Sequence, residues 1–186
     1  MPWSPVYPMA DAPLPPRPGL YKVILATDGA FAGTALAGLG VGSPLYVGRA
    51  EESLYGRDVR PHLASNRTGS SILRRSLGAV LHDVLRLKAR PRQDRWVANY
   101  RFDPEGEARL TAWMQANLSV SWLECASAAE AKHREPGLIF ETAPVLNLQH
   151  HPRGPWEAAV PGLRDRCREE AQRDLGTSAG GGVPRG

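Results

Sequence analysis

The chain has 186 residues, 42 % of them hydrophobic and 23 % charged, with a formal net charge of +4; that is enough apolar content for one globular domain and too much for a disordered chain. No apolar run reaches the roughly 18 residues that a membrane span needs, and the N-terminal stretch lacks the basic-then-apolar pattern of a secretion signal. Two cysteines, Cys125 and Cys167, are too few for a disulfide framework or a zinc site of their own, which fits reduced thiols in a cytoplasmic protein.

Taken in order, residues 1–18 hold seven of the seventeen prolines, so this segment reads as a tail or an extended edge wrapper. Tyr21–Leu25 is β-prone. Residues 26–43 follow with five glycines and no charge after Asp28. Their spacing fits neither a dinucleotide fingerprint nor a P-loop, which leaves a long flexible connection between two antiparallel strands. From Pro44 to His62 the pattern predicts a short strand, Leu45–Val47, a turn at Gly48, and a helix that carries Arg57 and ends near His62.

Residues 64–69 read as a polar turn, with Ser70 or Ser71 able to cap the next helix. Leu73, Leu77, Val80, Leu81, Val84 and Leu85 then recur at helical spacing and form one apolar face. Arg74, Arg75 and Arg86 fall mostly off that face, which leaves them to solvent or phosphate. A basic loop broken by Pro91 spans 87–95, and 96–102 alternates like a half-buried strand. Asp103 and Pro104 are a helix start with acids in the first turn, and that helix runs to about Asn117, burying Leu110, Trp113 and Met114. Residues 118–125 alternate as a strand. Ser127 and Glu130 form a capping-box pattern opening a helix through roughly Thr142. A loop with His150 and His151 precedes a last charged helix over 156–175, and 176–186 reads as a disordered tail.

Charge is unevenly spread. Between Arg57 and Arg101 there are eleven Arg or Lys against three Asp, an excess that suits a polyanionic partner because each neutralised phosphate releases counterions. Phosphodiester hydrolysis needs an activated water and positive charge where the phosphate gains negative charge, commonly with a metal. Tyr21 and Tyr46 on adjacent strands could place two phenols on one face, and Arg57 on the following helix could supply a guanidinium fork. Taken singly, each tyrosine reads equally as a core or sheet residue, and the arginine as a surface ion-pair partner. The combination carries the signal.

Gly19-Leu20-Tyr21, then Leu45-Tyr46-Val47-Gly48-Arg49, then Leu54-Tyr55-Gly56-Arg57, and finally Pro144-Val145-Leu146-Asn147 resemble, in order, the motifs of the GIY-YIG nuclease family. The resemblance spans about residues 18–148. The Thr68-Gly-Ser-Ser stretch with Arg74-Arg75 is also similar to a group of stand-alone bacterial GIY-YIG proteins. The resemblance implies an α+β fold: a small, mainly antiparallel central sheet of about three strands flanked by helices, with an inserted helical and strand segment. It divides the chain into a proline-rich tail (1–18), a nuclease-like domain (19–148) with an insert over about 66–118, a C-terminal helical appendage (149–175) and a tail (176–186).

It further implies an endonuclease that hydrolyses DNA, or RNA, by water attack, with one Mg²⁺ or Mn²⁺ held by Glu135. Tyr21 would be, or feed, the general base; Tyr46 would position water or phosphate; Arg57, assisted by Arg49, would stabilise charge on the phosphate; His62 would join in proton transfer, against the plain alternative of a surface histidine. Arg60, Arg67, Arg74 and Arg75 would contact the nucleic acid. Pro136 directly after Glu135 removes a helical hydrogen bond, so Glu141 and Glu130 stand as alternative ligands. A nucleic-acid-binding module that has lost cleavage is the second reading, and a small protein whose arginines face an acidic partner is the third.

Overall fold

The computed structural model describes residues 2–55, 62, 67–93, 96–149 and 159–179. The expected helix over Arg57, with Arg57 and Arg60 themselves, the loop histidines His150 and His151, and residues 180–186 of the expected tail lie outside them.

At the centre is β2 (Gly19–Leu25), hydrogen-bonded antiparallel to β3 (Pro44–Ala50) on one side and to β6 (Leu118–Glu124) on the other. A two-residue strand, β1 (Tyr7–Pro8), extends the sheet past β6 and gives the order β1-β6-β2-β3. The proline-rich segment thus wraps an edge, tied by Ser4 and Met9 backbone N–H groups to the carbonyls of Trp122 and Leu118. The α+β architecture holds, with three long antiparallel strands plus this short one. Because side chains alternate across a strand, register assigns the faces. Tyr21 stands opposite Gly48 and Trp122, and Val23 opposite Tyr46 and Val120, so both tyrosines share one face of the sheet.

Gly48 is not a turn; β3 runs through it to Ala50. A Cβ there would lie 2.5 Å from the Tyr21 hydroxyl, so the glycine is the bare spot across which the Tyr21 ring lies. Gly19 has a similar reason: its Cβ would sit 2.4 Å from the Leu123 carbonyl oxygen. The glycine-rich connection 26–43 is anchored, with Phe31 and Leu36 buried in the core and Phe31 packed on Trp113. Gly42, at φ 88°, makes the return that lets its N–H meet the Leu25 carbonyl.

The main core lies on the tyrosine face. α1 (Ile72–Val80) crosses it and is buried at every residue after Ile72. β4 (Ala89–Gln93) and β5 (Trp96–Phe102) form a separate antiparallel hairpin. The basic segment is therefore a strand around Pro91, which the register shift between Pro91 and Gln93 accommodates. α2 (Pro104–Asn117) starts on Asp103, whose carboxylate accepts the Gly106 N–H, and adds Leu110 and Met114 to the core, with Trp113 packed at its margin. The other face of the sheet is covered by α3 (Ala128–Thr142), which closes a smaller core around Leu20, Leu123 and Ala131. α4 (Ala159–Ala179) packs on α1 and the β4–β5 hairpin and places Val160, Cys167 and Ala171 in the main core. Its last turn enters the stretch that sequence alone assigns to a tail.

Candidate active site

β3 is the edge strand of the sheet, and a cleft of about 420 Å³ straddles its C-terminal end, lined by Tyr21, Tyr46, Arg49, Glu51, Glu52, His62, Ser70, Ser71, Ile72 and Glu135. Alternation sends Tyr46 to one face of β3 and Arg49 to the other; only at an edge can side chains from both faces, and from helices on both sides, reach one space. The outer edge of the strand is held by the segment after α3. The N–H groups of Val145 and Leu146 bond the carbonyls of Pro44 and Leu45, and the Asn147 amide takes the Val47 N–H on Oδ1 while donating Nδ2 to the Val47 carbonyl, both at 2.9 Å. Asn147 thus substitutes for a neighbouring strand and fixes β3 just upstream of Gly48 and Arg49.

On the tyrosine side, the Tyr21 hydroxyl is 2.6 Å from His62 Nε2, and His62 Nδ1 is 2.7 Å from Ser71 Oγ. The Tyr46 ring lies 6.2 Å from both the Tyr21 and the His62 rings. Ser71 is also the N-cap of α1, accepting the Arg74 N–H at 3.1 Å, so the helix start fixes the serine that fixes the imidazole. Burial, and secondarily the Arg74 charge, lower the His62 pKa to about 4. The imidazole is therefore neutral at pH 7.

Behind this chain lies a polar network that sequence reasoning missed. Arg74 is fully buried; its guanidinium donates to Glu107 Oε2 at 2.7 Å, Thr111 Oγ1 at 3.1 Å, Thr68 Oγ1 at 3.2 Å and the His62 carbonyl at 2.7 Å. Glu107 is equally buried and also accepts the Phe102 N–H and the Thr68 hydroxyl. Burial pulls the Arg74 pKa down and Glu107 pushes it back. Arg75, 7 % exposed, donates to the Gly69 carbonyl at 2.9 Å. The expectation that Arg74 and Arg75 face nucleic acid is thus corrected: Arg74 is held by Glu107 and Thr111 of α2, and the Arg75 carbonyl accepts the Tyr100 hydroxyl of β5, so both buried arginines are interior supports. Arg67 is exposed at the start of the 68–70 turn. In hindsight the pairing of Arg74 with a first-turn glutamate 33 residues away had no local signal, since acids at a helix start already have a dipole reason to be there.

Across the cleft, Glu135 projects from α3, which stays helical through Pro136. Its carboxylate pairs with Arg49 Nη1, while Arg49 Nε donates to Glu51 at 3.0 Å. The hydrogen bonds to Glu51 and Glu135 raise the Arg49 pKa. Of the three candidate carboxylates, Glu135 lines the cleft; Glu130 is taken up by the Ala126 N–H and Arg134, and Glu141 lines a separate groove beside Leu138. Among the described residues no three His, Cys, Asp or Glu converge on one point. A single hard carboxylate suits an ion such as Mg²⁺, which keeps most of its waters and takes the rest of its oxygens from phosphate, so the donor set fits a divalent metal at Glu135.

The family model described as GIY-YIG catalytic domain matches residues 42–168, more than half of the chain. No curated protein and no solved structure matches. The match starts after β2, yet the fold brings Tyr21 of that strand into the same cleft as the matched Tyr46, His62 and Glu135. The family model supports a nuclease-type fold; nucleases of this family are generally dependent on a divalent metal, and such a domain implies a nucleic-acid substrate. Among the described residues no helix is long and apolar enough to cross a membrane. Edge cleft, paired tyrosines and family match converge: this chain belongs to the GIY-YIG catalytic domain family.

Proposed function

We propose that the protein is an endonuclease that hydrolyses DNA phosphodiester bonds by attack of water, from a catalytic unit over residues 19–148, with one Mg²⁺ or Mn²⁺ at Glu135. The observation that carries this reading is the Tyr21–His62–Ser71 hydrogen-bonded chain facing the Arg49–Glu135 pair across one cleft.

A phenol with an ordinary pKa near 10 is a weak base at pH 7 unless its own proton has somewhere to go. In the tautomer that helps, His62 carries its hydrogen on Nδ1, donated to Ser71 Oγ, and accepts the Tyr21 proton on Nε2 as Tyr21 takes one from water. Ser71 Oγ has two lone pairs, one already on the Arg74 N–H, so it can take both donors. Because burial and Arg74 hold the His62 pKa to about 4, the imidazole keeps that proton only briefly. Tyr21 takes the proton of the attacking water as its own moves to His62 Nε2, and His62 then releases it to the departing oxygen or to bulk water and returns to its neutral form. Tyr46 orients the water or the phosphate, and Arg57 with Arg49 meets the growing charge. A bound divalent cation would supply Lewis-acid stabilisation of the phosphate and leaving oxygen. Exposed Arg67, together with Arg60, takes flanking phosphates.

One observation favours the second reading, a binding module without cleavage: Arg49 already occupies Glu135. Cleavage of supercoiled plasmid and branched DNA with Mg²⁺ decides between them. Wild type nicks DNA under the enzyme reading, and Tyr21→Phe lowers the rate by about 10²–10⁴-fold, with comparable losses in Arg57→Ala and Glu135→Ala. DNA retained but uncut by wild type on every substrate would leave the binding module standing.

A further inference from the structure

Arg49 is held from two sides. Its Nη1 contacts Glu135 and its Nε lies 3.0 Å from Glu51. The three side chains differ in exposure in a telling way: Glu135 is 17 % exposed, Arg49 33 % and Glu51 59 %. The inner carboxylate has the least water around it and most needs a cation; the outer one sits in solvent and can hold a guanidinium by one corner. A guanidinium has five N–H donors in a rigid fork, so letting go of Glu135 does not require letting go of Glu51.

We propose that Arg49 is the resident counter-ion of Glu135, displaced when a divalent cation binds there, and that Glu51 is the tether that keeps the displaced guanidinium in the cleft with its freed Nη groups available to a nucleic-acid phosphate. This rests on the assignment of Glu135 as the metal ligand. Two cations on one carboxylate repel each other, so metal and Arg49 compete for Glu135. A phosphate that captures Arg49 removes the competitor, so nucleic acid strengthens metal binding, and metal strengthens nucleic-acid binding by the same factor. The cleft thereby gives the part-exposed carboxylate a counter-ion in the resting protein and presents the arginine only when the ion is in place.

The test is equilibrium Mn²⁺ binding, with free ion read by electron paramagnetic resonance, on the full chain and on Arg49→Lys, Arg49→Gln and Glu135→Gln, each checked for folding by circular dichroism. Displacement predicts that Arg49→Lys, which keeps the charge but loses the two-sided fork, binds Mn²⁺ about threefold tighter than wild type. Arg49→Gln binds about tenfold tighter, and its melting temperature rises more on adding Mn²⁺. Arg49→Lys binding like wild type or more weakly, while Glu135→Gln loses Mn²⁺, would overturn the displacement and leave the metal ligand in place. Glu135→Gln binding Mn²⁺ as wild type does would remove the ligand assignment itself, and the competition with it.

Discussion

Two arginine–carboxylate pairs lie on opposite sides of the Tyr21–His62 chain, and they do opposite things. Arg74–Glu107 is fully buried on both sides, with four further hydrogen-bond partners around it drawn from Thr68, Thr111, Phe102 and the His62 carbonyl. Arg49–Glu135 lies at the sheet edge, part-exposed, with a second carboxylate within reach. A buried, fully satisfied pair cannot exchange partners without leaving a charge in apolar surroundings. A part-exposed pair can, because water covers the difference. The first pair is therefore scaffold, and the second is free to change partners, as the proposed metal site requires.

The sharpest way to break this comparison is to remove one partner of the buried pair. Arg74→Ala or Glu107→Ala destabilises the protein by about 3–5 kcal/mol, since the remaining charge stays buried and unpaired. Urea unfolding with an unchanged slope is the measurement. The double change Arg74→Met/Glu107→Leu recovers much of that stability, because well-packed apolar groups replace a desolvated pair at little cost. It still loses cleavage, because nothing then holds the His62 carbonyl. Full activity in the stable double variant would show that the network has no part in placing the histidine.

How far the sequence reveals these regions follows the same division. β2, β3, β5, β6, α2 and α3 are legible from alternation and caps, since Asp103 and Ser127 make the bonds their positions predict. The cleft residues Tyr21, Tyr46 and Glu135 meet where the order of motifs implies, because the edge of β3 gathers them. What escapes is whatever depends on contacts between distant segments. Arg74 and Arg75 fall outside the leucine stripe, and a stripe on one side of a helix says nothing about what covers the other. Phe31 and Leu36 are buried inside a glycine-rich connection whose composition suggests only flexibility. Asn147 is recognisable as a motif residue, but its amide pairing with Val47 is visible only in three dimensions.

A second prediction sharpens the link between the two regions, because His62 touches both. The free imidazole takes a proton near pH 6.5 in the unfolded chain, but only near pH 4 in the folded one. Between those values the unfolded chain binds the extra proton, so stability falls as pH drops from 6.5 to 4 and is untouched by this group above pH 7. With some solvent contact remaining, the loss is on the order of 2 kcal/mol. Comparing unfolding of wild type and His62→Gln at pH 7.5 and pH 4.5 isolates it: the variant loses less stability on acidification. Equal losses in the two proteins would mean that His62 titrates normally and that the Arg74 side of the chain does not bear on it.

The smallest effect is the most telling for the edge pair. Arg49 is a third exposed and its partner Glu51 is mostly in water, so Arg49→Gln changes stability by only about 0–1 kcal/mol, and added salt narrows the difference further. Glu135 is left 17 % exposed, so water takes over part of what the guanidinium supplied. A loss near 3 kcal/mol, as large as at Arg74, would show Glu135 to be effectively buried, and the edge pair would then be a second piece of scaffold. A small loss in stability alongside a large loss in cleavage is the signature of a pair kept for exchange, because the free energy that would have gone into holding the fold is left for the phosphate.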